Sequence, residues 1–472
     1  MQDPLSSNRP RIALAGTSSF IGAALCEALD PRFDLRILTR SMAREAPREG
    51  VEVRPCDHFS RKELERALQG VDYAVYLVHN RDPSARLDQA QSRDMDLLVA
   101  DNFAWAAARN GVKQILCRTP LSAHPDRVAA RDARELVEVL ASHGVPLTVL
   151  RTGLVLGAGG ELPRLLVRMV RRLPFILMPR FAETEMRPLP LEAMLAAFLH
   201  CIGRPDTFAE TYDVFGPEPI TFRTMIEETA RLLGRKPRIV RWPDMSEALF
   251  KDLIKGLCPA MHQDFLDYLM DVLSTGAGRP NPVQSGIAER WTPLRHTLEE
   301  SVRGALQRSH KGMRRKDDDA IHQAARVRSI QRLRLPDGRN AEWVAERYFA
   351  WLGTLMGLFI QTERHDDGSW SVRQRPGGLL LLQLDFKPDH SAPNRRMYFI
   401  TGGALARVLG GRTARLEFRD LLGGRYSMIA IHDFNPALPW LFYRFTQAII
   451  HGLIMKGFQG HMEQLSDGGP RL

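Results

Sequence analysis

Apolar residues in the first third of the chain fall into short runs separated by segments with helical spacing. Runs of strand type occur at residues 11–15, 35–39, 51–54, 73–78, 114–117 and 147–150. The segments between them repeat apolar residues every three or four positions, as amphipathic helices do, and the longest predicted helix covers about Leu87 to Asn110. Strands that alternate with helices predict an α/β fold with a Rossmann-like, doubly wound parallel sheet.

The pattern changes after about Ala320. A strand and a helix come first, several segments then alternate like antiparallel strands, and a long apolar helix over about Leu438 to Leu465 closes the chain. This order describes an α+β helix-grip domain, in which a curved sheet wraps the last helix. We expect an apolar cavity there with Trp440 or Phe445 in its wall, although a fully packed helix is an equally good interpretation of the pattern.

The positive charge is concentrated in one stretch. The chain has 65 Lys and Arg against 55 Asp and Glu, a formal net charge of +10, and most of this excess lies between Arg303 and Arg334. We predict a basic, solvated linker over 301–326 between an N-terminal domain with a substrate lobe over 10–300 and a second domain over 327–465. Because the excess is not spread over a broad face, nucleic acid is not a predicted partner.

Cysteine usage and the N-terminus indicate the compartment. The five cysteines are far apart and none has CxxC spacing, which argues against disulfides and a cysteine-based zinc site, so no metal is predicted. The first ten residues contain no signal-peptide apolar region, and we find no clean apolar run of about 18 residues. A cytoplasmic location is therefore expected, and the sequence does not predict the oligomeric state.

A glycine-spaced turn follows the first strand and precedes the first helix. Gly16 permits the tight turn, Gly22 permits close packing of the helix, and Ser19 stands where a third glycine is usual. Amide groups at a helix N-terminus can bind a pyrophosphate. The predicted phosphate site is formed by Gly16, Thr17, Ser18, Ser19, Phe20, Ile21 and Gly22.

The residue after the second strand distinguishes the two nicotinamide dinucleotides. NAD enzymes place a carboxylate there for the ribose 2′-hydroxyl, whereas a basic residue accommodates the 2′-phosphate of NADP. This chain has Thr39-Arg40-Ser41 and no carboxylate. We therefore expect NADP as cofactor, with NAD less favoured and Arg40 as the 2′-phosphate contact. The alternative is that Arg40 is a solvated residue at a strand end.

Several stretches carry a family resemblance, among them "IALAGTSSFIG", "LRILTRS", "NFAWAAARNGVKQIL" and "VPLTVLRTGLVLG". Over about 10–245 the chain resembles the atypical, NmrA-like branch of the extended short-chain dehydrogenase/reductases. The resemblance implies that the adenine meets Asp57 and the His58 backbone. It places the cofactor ribose beside the end of the fourth strand and a hydroxyl on the fifth, which here are Leu77, Val78, His79 and Thr119.

The catalytic pair of that superfamily is missing from its usual place. Its reductases use Tyr-x-x-x-Lys, in which the lysine lowers the tyrosine pKa. No tyrosine lies between Tyr76 and Tyr212, and Lys113 is the only lysine in that interval. Arg131 or Arg134 can replace the lysine at the ribose, but no acid takes the role of the tyrosine. We therefore name no catalytic residue.

The C-terminal stretch resembles a second family. The pieces "LEFRDLLGGR" and "YRFTQ" make about 327–465 similar to an uncharacterised domain often fused behind such dehydrogenase-like domains. That domain resembles the polyketide-cyclase/START-like helix-grip superfamily, which implies a fold and a ligand cavity but no reaction. The aromatic and basic residues of the last helix leave open a weak association with a membrane surface.

Two functions from different classes fit these observations. The first is an NADP-dependent oxidoreductase of the atypical short-chain type that acts on an apolar carbonyl, enone or quinone-like small molecule. The second is a non-catalytic binding or regulatory protein that senses NADP(H). The enzyme is preferred because a second, cavity-forming domain has little use in a sensor.

Overall fold

Two compact units make up the chain. Unit 1 comprises Met1–His79 and Val99–Met313, and unit 2 comprises Asn80–Leu98 and Arg314–Leu472. The structure, a computed structural model, describes residues 9–29, 32–40, 50–79, 87–122, 124–276, 292–308, 327–407, 414–439 and 445–467. The predicted linker beyond Arg308 and the predicted cavity residue Trp440 lie outside the described residues.

Strands and helices alternate through most of unit 1. Its strands are β1 (Arg11–Ala15), β2 (Asp34–Thr39), β3 (Val51–Pro55), β4 (Tyr73–Tyr76), β6 (Gln114–Pro120), β7 (Leu147–Thr152), β8 (Val155–Leu156), β9 (Phe175–Met178), β10 (Glu185–Met186), β11 (Leu189–Pro190), β12 (Thr211–Val214), β13 (Ile220–Thr221) and β14 (Arg238–Arg241), and β5 (Leu87–Gln89) belongs to unit 2. Its helices are α1 (Phe20–Leu29), α2 (Arg61–Ala67), α3 (Ser92–Arg109), which starts in unit 2, α4 (Val128–Ala141), α5 (Glu161–Arg172), α6 (Leu191–Cys201), α7 (Phe222–Leu232), α8 (Glu247–Leu257), α9 (Gln263–Thr275) and α10 (Leu294–Arg308).

Seven strands form one parallel sheet in the order β12-β7-β6-β4-β1-β2-β3. The strand order reverses between β1 and β4, and in open α/β sheets ligands bind in the crevice beyond the carboxyl ends of strands at such a point. Buried strand residues such as Ile12 and Leu14 form a core with apolar residues of α1 and α6. The predicted doubly wound, Rossmann-like α/β fold is confirmed for this unit.

The rest of unit 1 is a lobe built mainly of helices. Three short strand pairs, β8 with β11, β9 with β14 and β10 with β13, lie outside the main sheet. Helices α5 and α7–α10 share one apolar core with them, in which Leu165, Phe222, Phe250 and Leu269 are buried. The lobe follows β7 and β8, so its residues start beside the carboxyl end of the parallel sheet.

Unit 2 is built on one large sheet. Its elements after β5 are β15 (Val327–Arg334), α11 (Ala341–Leu355), β16 (Ile360–Arg364), β17 (Trp370–Gln374), β18 (Leu380–Phe386), β19 (Arg395–Gly402), β20 (Arg415–Leu421), β21 (Tyr426–Phe434) and α12 (Gln447–Asp467). The sheet order is β16-β17-β18-β19-β20-β21-β15-β5. All neighbours are antiparallel except β15 and β5, which are parallel.

Two helices pack on one face of this sheet. Phe349 of α11 stacks on Trp370 of β17 with ring centroids 4.6 Å apart, and Phe458 of α12 is fully buried with Phe418 of β20 in the same core. Alternation along a strand sends Leu416 and Phe418 to this face and Glu417 and Arg419 to the other. The unit is therefore an antiparallel α+β domain with a layer of helices on one side.

Two predicted elements were wrong at their starts. The helix predicted from Leu87 begins at Ser92, because Leu87–Gln89 is a strand that pairs in parallel with β15. That pairing also assigns residues 80–98 to unit 2, although the sequence prediction included them in the N-terminal domain. The last helix is assigned from Gln447; Leu438, where it was predicted to begin, lies in a bend after the bridge between Ala406 and Pro436, and residues 440–444 lie outside the described residues.

Candidate functional site

The turn after β1 has the geometry of a phosphate-binding loop. Gly16 has φ +100°, and a Cβ at this position would lie 2.4 Å from the carbonyl oxygen of Leu77 at the end of β4. A Cβ on Gly22 would lie 2.2 Å from the Gly16 carbonyl oxygen. Both positions therefore require glycine, because any larger residue would displace backbone that joins β1, β4 and α1.

Ser19 closes the turn and caps α1. Its hydroxyl donates to the Gly16 carbonyl at 3.1 Å and accepts from the Gly22 amide at 2.9 Å. The first intrahelical bond runs from Ala23 to the Ser19 carbonyl, so the amides of Phe20 and Ile21 lie ahead of the helical ladder. Such amides carry the partial positive charge of a helix N-terminus and can donate to a pyrophosphate. The sequence predicts the amides of Ser18 to Ile21 as phosphate donors. The Ser19 amide donates instead to the Gly16 carbonyl at 3.3 Å, so Ser19 shapes the loop, while Phe20 and Ile21 stay predicted donors.

The carboxyl ends of β2 and β3 lie side by side at the adenosine end of the predicted site. The Cys56 amide donates to the Thr39 carbonyl at 2.8 Å, which fixes the chain after β3 beside Arg40. Arg40 is exposed, whereas Asp57 and His58 are buried. The structure therefore brings the three residues predicted for the adenosine and its 2′-phosphate to one edge of the sheet.

Asp57 and His58 are held by their own neighbours. The Asp57 carboxylate accepts from the Phe59 amide at 3.1 Å, and the His58 carbonyl accepts from Asn102 at 3.1 Å. Burial, together with the charge of Arg40, lowers the pKa of His58 to about 4. Its Nε2 is buried without a hydrogen-bond partner among the described residues, so this edge carries one unsatisfied polar atom.

The other predicted residues lie at the crevice but differ in their exposure to solvent. Leu77 and Val78 are buried beside the phosphate loop, and the Leu77 amide donates to the Ala15 carbonyl at 2.9 Å. His79 follows them and is exposed, whereas Thr119 on β6 is buried. Thr17 and Ser18 lie within the turn between β1 and α1. All of the predicted positions thus fall at the carboxyl edge of the sheet, and their contacts with a cofactor remain predictions.

A polar cluster beyond β6 and β7 could not be found from the sequence. Tyr268 on α9 donates to the Thr152 carbonyl at 2.7 Å, and Arg118 donates to the Thr152 hydroxyl at 2.7 Å. Burial raises the pKa of Tyr268 above its usual value, so the phenol is held protonated. The chain thus brings a tyrosine to the substrate end of the sheet from a helix more than a hundred residues later, but its hydroxyl bonds to backbone.

Asp271 lies one helical turn after Tyr268 and is also buried. Burial raises the pKa of its carboxyl group, although Ser122 and Arg127 partly offset this effect. Arg127 lies 3.5 Å from Asp271 and forms a bidentate pair with Glu247 at 3.0 and 3.1 Å. The loop after β6 is therefore tied to the lobe by charged groups. Arg134 donates instead to the Pro125 carbonyl at 2.7 Å, within the loop before α4.

Two cavities in unit 1 lie at opposite ends of the sheet. One of about 20 Å³ is lined by Leu121, Gly153, Met186 and Phe215, between the ends of β6 and β7 and the lobe. It has room for about one water molecule. The other, of about 310 Å³, is an open recess beside Arg11 and other residues at the amino ends of β1–β3. Its position is opposite to the phosphate turn, so it is not the dinucleotide site.

Comparison with known proteins identifies the cofactor class. Residues 16–155 match a family model described as NAD(P)H-binding. This range begins at the phosphate turn and ends after β7, so it covers the strands that form the crevice. An NAD(P)H-binding, Rossmann-like domain is therefore present in unit 1, and the prediction of a nicotinamide dinucleotide as cofactor is confirmed at that level.

Two relatives and one solved structure are similar to parts of the chain. The auxiliary protein GraX of Staphylococcus aureus (strain NCTC 8325 / PS 47) is 28% identical over 141 residues, which are 29% of this chain and 43% of that protein. The (4-alkanoyl-5-oxo-2,5-dihydrofuran-3-yl)methyl phosphate reductase of Streptomyces griseus subsp. griseus is 29% identical over 248 residues, 48% of this chain and 75% of that protein. Triphenylmethane reductase of Citrobacter sp., complexed with NADP(H), shares 17% identity and a TM-score of 0.47, with 62% of this chain and 99% of that chain covered. The aligned region thus spans less than half the length of GraX.

Proposed function

We propose that the protein is an NADP(H)-dependent oxidoreductase that reduces an apolar carbonyl, enone or quinone-like substrate. The observation that carries this proposal is the placement of Arg40 and the Gly16–Gly22 turn at one edge of an NAD(P)H-binding domain. The reductase name of the relative that is 29% identical supports hydride chemistry for this chain as well.

Different residues at this edge of the sheet fit the pyrophosphate and the 2′-phosphate of a dinucleotide. The Phe20 and Ile21 amides receive the pyrophosphate, and the two glycines leave space for its close approach. Arg40 supplies a guanidinium for the 2′-phosphate, and the sequence has no carboxylate directly after β2. This charge pattern favours NADP over NAD, since the 2′-hydroxyl of NAD gives Arg40 no anion to bind.

The proton donor is the unusual part of the proposed reaction. When bound at this site, NADPH would provide the hydride for a substrate carbon, and the substrate oxygen would then need one proton. Tyr268 does not provide it, because its hydroxyl is buried and bonds to the Thr152 carbonyl. Thr119 is buried as well. We propose that water supplies the proton and that the chain's residues orient the two reactants and exclude side reactions.

A specific observation favours the alternative function, a non-catalytic NADP(H) sensor. The described residues at the substrate end of the sheet, Tyr268, Arg118 and Asp271, are engaged with backbone, hydroxyl or charged partners of the chain itself. A site that only reports cofactor occupancy requires no free acid. The sensor therefore predicts tight NADPH binding without turnover.

For unit 2 we propose the helix-grip fold with an apolar ligand. The antiparallel sheet and the packing of α12 on β20 support this assignment. Phe445, which lies just before α12, is exposed, so this aromatic ring is accessible to a ligand. We also propose a reducing, cytoplasmic location, which the five buried cysteine thiols support.

NADPH oxidation by the full chain tests the proposed enzyme. A panel of quinones, enones and apolar aldehydes is added to purified protein while absorbance of the reduced nicotinamide is followed. We expect turnover with at least one class and none with Gly16→Val, in which the new side chain occupies the Leu77 contact. Tight binding of NADPH by calorimetry without turnover on any class would assign the sensor function instead.

A further inference from the structure

One end of unit 2 exposes an unusual number of large apolar side chains. On α12, Ile449, Ile450 and Leu453 are exposed, and Leu453 has 63% of its surface accessible. The buried residues of the same helix, Met455 and Phe458, point into the core. At 100° per residue the exposed set lies on the side opposite to the buried set. The first half of α12 is therefore apolar on two faces, although packing within the unit uses only one.

A second segment extends this surface beyond the helix. Arg347 and Trp351 of α11 contact His461 and Phe458 of α12, so the two helices run antiparallel. The end of α11 therefore reaches the first half of α12. Exposed apolar residues follow there, Leu355 at 56%, Leu358 at 86% and Phe359 at 64%.

The β17–β18 turn lies at the same end. The Arg375 amide donates to the Phe359 carbonyl at 2.7 Å, and the Gln374 amide donates to the Leu379 carbonyl at 2.8 Å. Leu379 is itself 53% exposed. We call this surface the apolar tip, defined by Leu355, Leu358, Phe359, Leu379, Ile449, Ile450 and Leu453.

The sequence segments that form the apolar tip carry positive charges and no negative ones. The sequence has no Asp or Glu from Phe434 to Met462, from Leu355 to Thr362, or from Gln374 to Leu384. The same stretches include Arg375 and Lys456, and Lys456 is exposed on α12. An apolar surface whose own segments carry cations and no carboxylates complements an anionic lipid surface.

The shape of the apolar tip also favours lipid over a protein partner. Leu358 is almost fully accessible, so it projects from the surface and does not line a groove. A projecting side chain enters the acyl boundary of a bilayer without a complementary pocket, which a protein partner would have to supply. No helix in the described part of the chain is long and apolar enough to cross a bilayer.

We propose that the apolar tip docks unit 2 onto the surface of an anionic lipid bilayer. Leu358, Phe359 and Leu453 enter the headgroup and acyl boundary, while Arg375 and Lys456 meet the lipid phosphates. Docking at this end would place an enzyme for apolar substrates at the phase in which such substrates collect. The proposal does not depend on hydride transfer, because it concerns surface residues of unit 2 only.

Flotation of the full chain with vesicles tests the proposal. Vesicles of phosphatidylcholine with added phosphatidylglycerol should carry the protein upward in a density gradient, and phosphatidylcholine alone should carry less. Leu453→Glu should weaken vesicle affinity at least about tenfold, because it removes an inserted leucine and adds a repelled charge. Lys456→Glu should weaken binding at least about fivefold on the anionic vesicles, with little change on neutral ones.

The matched control is Leu253→Glu, which changes a leucine with 46% exposure on α8 of unit 1. It should float as the unchanged protein does. Circular dichroism and NADPH affinity verify that each variant is folded. Absence of flotation by the unchanged protein would overturn the proposal, as would equal losses in Leu253→Glu and Leu453→Glu. If light scattering shows a dimer that Leu453→Glu converts to a monomer while flotation is unchanged, the apolar tip binds a second copy and the proposal is wrong.

Discussion

Arg40 is the residue on which the choice between the two dinucleotides depends. It is exposed at the carboxyl end of β2, and its charge acts on the neighbouring His58. A charge-assisted hydrogen bond to the 2′-phosphate is worth about 1.5–3 kcal/mol. Arg40→Asp should therefore weaken NADP binding at least about tenfold and leave NAD binding nearly unchanged. Calorimetric titration of both dinucleotides measures the two effects.

The control for this substitution lies on the chain just before the same strand. Arg32 is also exposed, but it precedes the amino end of β2 and faces away from the crevice end of the sheet. Arg32→Asp makes the same change of charge and should leave both affinities as they were. If the unchanged protein binds NAD and NADP equally well, Arg40 does not contact the 2′-phosphate.

The partly buried His451 should contribute to the acid sensitivity of unit 2. Burial lowers the pKa of His451 on α12 to about 4, and its Nε2 lies 3.0 Å from the Ser329 hydroxyl. In the unfolded chain the pKa is about 6.5, so unfolding takes up a proton between these two values. The contribution of His451 to the free energy of unfolding is therefore complete above about pH 6.5 and falls as the pH drops toward about 4.

His451→Gln removes this titration and keeps a polar side chain near Ser329. Between about pH 7 and about pH 5, the unchanged protein should lose roughly 2 kcal/mol more unfolding free energy than the variant. Urea unfolding of the full chain at the two pH values, followed by circular dichroism, gives this difference. His296→Gln, at an exposed position on α10, is the control and should lose as much as the unchanged protein. Equal losses in all three proteins would contradict the argument.

At the scale of elements, the sequence predicted the parallel sheet better than the contacts of its lobe. The runs at β1, β2, β4, β6 and β7 are apolar because both faces of a doubly wound sheet are buried, and that property is visible in one sequence. Strand β5 has only three residues, and it lies in a window that also fits a helix. Its identity depends on pairing with β15, about 240 residues later, which local periodicity does not contain.

The same limit applies to the polar cluster of the candidate site. The Gly16–Gly22 turn and Arg40 are local features, since the spacing to a strand end defines them. Tyr268 and Asp271 reach the end of β7 only because α9 packs in the lobe, and their own spacing is that of an ordinary amphipathic helix. The sequence therefore has no tyrosine near the usual catalytic position. The fold brings Tyr268 to the end of β7 instead, with its hydroxyl bonded to the Thr152 carbonyl.

Strands β19, β20 and β21 are joined by a buried ionic network on the face away from α12. Glu417 pairs with Arg395 at 2.5 Å and with Arg419, and its second carboxylate oxygen lies 3.4 Å from His432. Burial would raise the pKa of Glu417, but the charges of Arg395 and Arg419 and the bond to His432 hold it well below its usual value. The Glu417 carboxylate is thus shared by the Arg395 and Arg419 guanidinium groups.

Removing that anion should cost more than removing the network. Glu417→Gln removes the buried carboxylate that Arg395 and Arg419 share, so we expect a loss of about 3–5 kcal/mol in the free energy of unfolding. The triple variant with Arg395→Met, Glu417→Leu and Arg419→Met should be close to the unchanged protein or more stable. Urea unfolding compares the three proteins. A Glu417→Gln variant no less stable than the triple variant would contradict the prediction, because the two guanidinium groups would then not depend on the carboxylate.

At the scale of the molecule, the two units are not consecutive in sequence, because unit 2 includes a segment that lies between two parts of unit 1. Residues 80–98 leave unit 1, supply β5 to the sheet of unit 2, and return to unit 1 within α3. Beside the strand pairing, Gln331 of β15 donates to the Gln89 carbonyl at 3.1 Å, and Arg332 lies 3.9 Å from Asp94. Unit 2 therefore contains chain from both sides of the basic stretch that follows Arg308.

This arrangement predicts how the molecule responds to a cut in that stretch. Between Arg308 and Arg326 the sequence offers Lys311, Arg314, Arg315 and other basic residues, so brief trypsin treatment should cleave there first. The products should be about two-thirds and one-third of the chain. Because β5 stays on the large fragment and β15 on the small one, the fragments should co-elute on native gel filtration and separate only in denaturant.

The intact protein run on the same column gives the reference elution volume, and denaturing gels show the cut. Three features hold the nicked molecule together in this interpretation: the β5–β15 pairing, the Gln331 bond and the Arg332–Asp94 pair. Asp94→Ala in the nicked protein should therefore lower the denaturant concentration at which the fragments part. Fragments that separate without denaturant, or first cuts within residues 11–150, would show that β5 does not tie the two parts of the chain together.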